Sequence, residues 1–146
     1  MKGWAVERAA GVLRRAGIDA ALVNGGGGLT VFGSPAPGRR WRVGIRHPWR
    51  PDALACVVQP RAALATSADY ERGAHLLNPL TGRPAAGVAS ATVTGPSLML
   101  ADALATGVAV GGDEALPAES RLTGYAAYLI RADGSETSTG GIDFVH

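Results

Sequence analysis

Aromatic side chains are scarce in this 146-residue chain: three Trp, three Tyr and two Phe, 5% of the sequence. Apolar residues reach 47%, and much of that is Ala and Val, so the core must be closely packed from small side chains. Cysteine is nearly absent. Cys56 stands alone in the apolar run Leu54-Ala55-Cys56-Val57-Val58, which excludes a disulfide framework within the chain and makes a buried, inert thiol the expectation. Charge of one sign is also missing: 14 Lys+Arg against 12 Asp+Glu leave +2. That balance gives no footprint for a nucleic-acid partner, and Arg14-Arg15 and Arg39-Arg40 are expected on solvated faces. No apolar run reaches the roughly 18 residues of a membrane span, and no export signal pattern opens the chain. The compartment stays open, cytoplasmic only for the chain as it stands, and a single domain over residues 1–146 is expected.

What the chain has in abundance is punctuation, with 21 Gly and 9 Pro. Gly3 to Ala16 carries apolar residues at helical spacing, Trp4, Val6, Ala9, Ala10, Leu13 and Ala16, and Gly17 supplies a stop. Short strands are predicted over Ile18 to Val23, Leu29 to Gly33, Trp41 to Arg46, Leu54 to Gln59 and Ala62 to Ser67, with His47 to Asp52 as a loop. A strand over Gly87 to Gly95 feeds a helix from Pro96 to Val110. Gly111 to Ser120 holds a short helix at most, and Gly124 to Ala132 turns at Asp133-Gly134 into a partner, Ser135 to Gly140. No βαβ alternation is present. The fold class is α+β: a mostly antiparallel sheet of about seven strands, read as a meander, packed against two or three helices.

The helix from Pro96 holds only two polar side chains with strong oxygen ligands, Asp102 and Thr106. Four residues apart, they share one helical face. A carboxylate beside a hydroxyl suits a hard divalent cation such as Mg²⁺. Equally, Thr106 can bond back to the carbonyl of Asp102 while Asp102 caps a neighbouring N–H. Spacing leaves both readings open.

Asn24-Gly25-Gly26-Gly27-Gly28 follows a strand without a Walker or Rossmann fingerprint. Four glycines mark it as more than an ordinary hairpin tip, because such a backbone can approach a ligand and present N–H groups to it. A flexible turn is the alternative. Thr66, Ser67 and Asp69 end a strand, and His75 follows, either a proton acceptor or a hydrogen-bonded structural residue. His47, beside Trp49, reads as a solvated surface histidine.

Taken together, six blocks in order resemble the FAD:protein FMN transferase family, the ApbE-like proteins. They are Lys2-Gly3-Trp4-Ala5-Val6; Leu22-Val23-Asn24 with its glycines; Trp41-Arg42-Val43-Gly44-Ile45; Ala65-Thr66-Ser67-Ala68-Asp69-Tyr70; the run from His75 to Pro84 containing Asn78-Pro79-Leu80-Thr81-Gly82; and Ala101-Asp102-Ala103-Leu104-Ala105-Thr106. The resemblance implies a T-fold-like architecture and Mg²⁺-dependent transfer of FMN from FAD to a Thr or Ser hydroxyl of an acceptor protein, releasing AMP. It implies Asp102, Thr106 and the main-chain carbonyl of Met1 as metal ligands. Lys2, Asn24, Gly25, Gly26, Gly27, Thr66 and Ser67 would line the FAD, and His75 would assist deprotonation of the acceptor hydroxyl.

The chain departs from the family pattern at four positions. Gly28 and Asn78 stand where the family has Asp, Ala68 where it has Gly, and Glu7 where the first block ends in Asp. It matches the C-terminal portion of family members, so it reads as a truncated domain whose N-terminal half is missing. An impaired relative that only binds FAD or a partner is the alternative function. An open sheet edge makes self-association a further expectation.

Overall fold

The computed structural model describes residues 2–68, 77–79, 82, 85–116 and 122–145. Helix α1 spans Lys2–Arg15, and two strands follow, β1 (Ala21–Asn24) and β2 (Gly28–Phe32). Next come β3 (Val43–His47), β4 (Arg50–Val58), β5 (Ala63–Ala68) and β6 (Val88–Gly95). Helix α2 (Leu98–Gly111) leads through a 3-10 turn, Gly112–Glu114, towards β7 (Ala126–Arg131) and β8 (Glu136–Ser138). Six strands form one sheet in the order β1-β2-β5-β6-β7-β8, and each neighbouring pair is antiparallel.

The expected meander is interrupted. β3 and β4 leave the main sheet as a hairpin of their own, and β2 pairs directly with β5. The loop expected over His47 to Asp52 is also mostly strand, because His47 pairs with Arg50 and β4 runs through Pro51 and Asp52. Proline survives there because a strand in a two-stranded sheet has a free edge, where no ladder bond needs its missing N–H. His47 is half-buried in the turn, its Nδ1 accepting the N–H of Trp49 at 3.3 Å.

Alternation along the strands assigns each side chain to one of two layers. Ala63 and Ala65 of β5, Val93 of β6 and Ala127 of β7 meet Val6 of α1 and Leu98, Ala101 and Ala105 of α2. Alanine faces alanine across this contact, so the helix layer sits close to the sheet, as the scarcity of large side chains requires. On the opposite face Leu29, Val31, Leu64, Tyr128 and Ile130 pack against Ile45 and Val58 of the hairpin. The order of layers is therefore helices, sheet, hairpin.

One expectation about surface groups changes. Arg14 is exposed as expected, its guanidinium lying over the Phe32 ring, 4.5 Å from the centroid. Cys56 is only half-buried, although burial still pushes its thiol above the ordinary value. Arg40 is exposed as expected and pairs with Asp143 at 2.8 Å.

Candidate functional site

Helices α1 and α2 cross near their N-terminal ends, and each supplies a carboxylate to the other's first turn. Asp102 Oδ2 accepts the Gly3 N–H at 3.3 Å, and Glu7 Oε1 accepts the Leu98 N–H at 2.5 Å. Free N–H groups and the positive end of the helix dipole make a helix start a favourable place for a carboxylate. Ser97, at the N-cap of α2, makes no side-chain cap bond, so Glu7 takes over that task. The crossing depends on Gly3: a Cβ there would stand 2.8 Å from the Leu98 carbonyl oxygen and 3.0 Å from Met99 Cα.

The glycine run after β1 is a hairpin tip, contrary to the expectation that set it apart from one. Asn24 pairs with Leu29, the Gly25 N–H bonds the Gly28 carbonyl at 2.9 Å, and Gly26 and Gly27 sit at φ of 76° and 78°. Two-residue hairpin turns that match strand twist need this left-handed conformation, which glycine adopts freely. Asn24 Oδ1 accepts the Gly26 N–H at 2.9 Å. The N–H groups of Gly25 and Gly26 are thus used inside the turn. Its carbonyls point to neighbours instead: Gly26 O accepts from Lys2 Nζ at 3.0 Å, and Gly27 O accepts from the Thr66 N–H at 2.6 Å.

One turn further along the same face of α2, Thr106 Oγ1 lies 3.2 Å from Ser67 Oγ and donates to the Asp102 carbonyl at 3.1 Å. The back-bond and the cap, both anticipated as the plain structural reading of Asp102-x-x-x-Thr106, are present. They also close a ring. Asp102 reaches Gly3, next to Lys2, which holds Gly26; Thr106 reaches Ser67, next to Thr66, which holds Gly27. The carboxylate and the hydroxyl are therefore each one peptide unit away from a contact with the same glycine turn.

One expected member turns away. Consecutive strand residues face opposite sides, so Thr66 points from the helix layer towards the hairpin and shares a hydrogen bond with Thr92 Oγ1 at 2.8 Å. Thr92 also lines a cavity of about 260 Å³ on that face, with Ile45, Val58, Leu64 and Ile142. Only the main chain of Thr66 belongs to the ring. Met1 and His75 lie outside the described residues. Reasoning from sequence alone missed Glu7 and Gly3 as organisers of the site; an acidic residue closing the first block was the available signal for Glu7.

For a divalent cation the donor set is one carboxylate and neighbouring hydroxyls, with no group of three or more His, Cys, Asp or Glu among the described residues. Hard oxygen donors of low count suit Mg²⁺, which keeps waters or phosphate oxygens in its shell, and do not suit a thiophilic or imidazole-bound metal. Thr106 is exposed and Asp102 half-buried, so one side of this oxygen pair remains open.

Fold and site together define an α+β protein with an oxygen-donor pair set beside a glycine turn at a helix start. The ApbE family profile matches residues 1–129. The FAD:protein FMN transferase of Rhodobacter capsulatus is 38% identical over 94% of this chain and 28% of its own length. That of Escherichia coli K12 is 33% identical over 94% of this chain and 42% of its own length. Among solved structures, the ApbE protein of Thermotoga maritima superposes with a TM-score of 0.83 at 28% identity, covering 95% of this chain and 49% of that one. The flavin transferase ApbE of Vibrio cholerae gives 0.77 at 32% identity, over 95% and 48%. This chain belongs to the ApbE family. It spans about half the length of the solved relatives, and less than half of the curated ones.

Proposed function

We propose that this chain carries the C-terminal part of an FAD:protein FMN transferase site, acting on FAD and on a Thr or Ser hydroxyl of an acceptor protein. In that reaction the hydroxyl oxygen bonds the phosphorus on the FMN side of the pyrophosphate, the bond to AMP breaks, and the hydroxyl proton leaves. Catalysis of such a transfer is mostly positioning and neutralisation of charge. Asp102 and Thr106, with the Met1 carbonyl, would hold Mg²⁺, which when bound supplies positive charge to the pyrophosphate oxygens. Lys2 adds an ammonium beside Gly26. Asn24, by bonding the Gly26 N–H, holds the turn of Gly25, Gly26 and Gly27 in shape against the nucleotide, while Ser67 fixes the Thr106 hydroxyl. His75 would take the acceptor's proton.

The observation that carries this reading is the ring joining Asp102 and Thr106 to one glycine turn. The test mixes the purified chain with FAD, Mg²⁺ and a Thr-containing acceptor peptide, and follows flavin fluorescence on the peptide together with AMP release. Asp102→Ala should abolish labelling; undiminished labelling would refute the assignment. A second reading, an FAD-binding module without transfer, draws on the Thr66 hydroxyl turned towards Thr92 and the turn's internally bonded N–H groups. FAD binding without AMP release would select it.

A further inference from the structure

Positive charge is not spread evenly over the fold. Of the 14 Lys+Arg, five lie between Arg39 and Val58, and of the 12 Asp+Glu only Asp52 does, so nine stand against eleven elsewhere. The stretch that holds the excess is the β3–β4 hairpin with its lead-in. Its base is packed on the sheet, and the packed residues stop at Ile45 on β3 and at Ala55 on β4. Beyond them the tip from Trp49 to Asp52 is exposed. Trp49, 50% exposed, stands edge-on to His47 with ring centroids 5.6 Å apart, so its position at the turn is defined. Val43 and Ile45 point to the sheet, and Arg42 and Gly44 therefore face away from it. Leu54, 57% exposed, covers Gly44 on that outer face, where a Cβ on Gly44 would stand 2.7 Å from Leu54 Cδ1. Arg42, Arg46 and Arg50 are exposed on the same element.

We propose that the outer face and tip of this hairpin dock on an anionic lipid bilayer, with Trp49 and Leu54 at the headgroup boundary and Arg42 and Arg50 on the lipid phosphates. Tryptophan favours that boundary, because its ring is apolar and its N–H polar. Arginines beside an anionic surface add attraction, and the guanidinium fork suits phosphate oxygens. Pro48 and Pro51 flank the turn and restrict its backbone, so contact leaves little to order. A second copy fits less well, because two such faces bring like charges together. A nucleic acid answers the arginines but not Leu54, which has no ring to stack on a base. The hairpin layer lies across the sheet from α1 and α2, so docking and flavin transfer can fail separately.

The test needs neither FAD nor metal. The full chain is sedimented with vesicles of phosphatidylcholine alone, or of phosphatidylcholine and phosphatidylglycerol in about equal parts. Binding to the anionic vesicles is expected, lost about tenfold or more as salt rises from about 0.05 to 0.5 M. Trp49→Ser, and Arg42→Glu combined with Arg50→Glu, should each weaken it about tenfold or more, and Arg15→Glu on α1 should leave it within about twofold. Brominated lipid should quench the emission of the full chain and of Trp4→Phe, and not that of Trp49→Phe. That readout stands even where the arginine variant does not fold. No binding to anionic vesicles, equal binding to neutral ones, or an equal loss in Arg15→Glu overturns the proposal. So does quenching that survives Trp49→Phe. Displacement of the chain from the vesicles by polyglutamate or DNA at equal charge overturns it as well, in favour of an acidic protein or a nucleic acid.

Discussion

Alanine placed at Gly3 and at Gly11, two positions of the same helix, should change stability in opposite directions. In a helix interior Ala is favoured over Gly by up to about 1 kcal/mol, because the glycine chain loses more freedom on folding. At Gly11 that gain stands alone, since the new Cβ meets only the mobile Arg15 guanidinium at 3.4 Å. Gly11→Ala should therefore stabilise the fold by about 0.5–1 kcal/mol. At Gly3 the new Cβ would meet the Leu98 carbonyl oxygen at 2.8 Å and Met99 Cα at 3.0 Å. Backbone atoms cannot rotate aside, so α1 has to shift away from α2. Overpacking of this kind costs about 1–3 kcal/mol. Losing the already long Gly3 N–H to Asp102 bond adds about 0.5–1 kcal/mol. Against the helix-propensity gain, Gly3→Ala should destabilise by about 1–3 kcal/mol, lowering Tm by roughly 3–10 °C for a domain of this size. Urea titration and thermal melting followed by far-ultraviolet circular dichroism read both variants. If Gly3→Ala also stabilised, the close crossing of α1 and α2 at this glycine would be refuted, and with it the positioning of Asp102.

Glu7→Ala, which leaves the Leu98 N–H without its carboxylate, should cost about 1–2 kcal/mol, as loss of a helix cap does; Glu7→Gln should cost less, and equal losses in urea would mean that the acceptor oxygen is not what matters. The hydrogen bond from Arg40, with the charges of Arg40 and Arg61, holds the Asp143 carboxyl below its ordinary value. Its stabilising contribution is then present above the unfolded carboxylate range near about 4 and is lost as pH falls through the lower folded value. Asp143→Asn should flatten the acid limb of a stability-versus-pH profile, and an unaltered limb would count against the pairing. Cys56, its thiol raised chiefly by burial, should alkylate with iodoacetamide at pH 8 more slowly in the folded chain than in urea; matching rates would contradict its half-buried position.

The elements that sequence alone located are those whose pattern is local. Helix α1 announces itself through Val6, Ala10 and Leu13 at helical spacing, and α2 through a run of strong helix formers after Pro96. The Asp133-Gly134 turn is legible because a short acidic side chain can bond the backbone two residues on, and Asp133 Oδ1 does accept the Ser135 N–H. Departure of β3 and β4 from the main sheet was not legible. Period-two alternation states that a strand has two faces, and nothing in it names the partner strand. Thr66 and Ser67 failed as a pair for the same reason, because a block of letters hides the fact that neighbours in a strand look to opposite sides. In the glycine run the turn, one of the two readings open from sequence, is what the backbone shows, with Gly26 and Gly27 at positive φ. The shared face of Asp102 and Thr106, by contrast, was legible from spacing, because four residues on a helix is a geometric statement.

A carboxylate that caps a helix and one that binds a cation are often treated as competing explanations, and the cap at Asp102 does not use up its donor capacity. The Gly3 N–H takes Asp102 Oδ2 at a long 3.3 Å, a weak bond that leaves the carboxylate's other oxygen available. Glu7 provides the contrast, held at 2.5 Å by the Leu98 N–H. Two carboxylates therefore meet at one helix crossing, each held by a backbone N–H of the other helix's first turn. Asp102 thus sits at the start of α1, on the Gly3 N–H next to Lys2, whose ammonium bonds the Gly26 carbonyl at 3.0 Å.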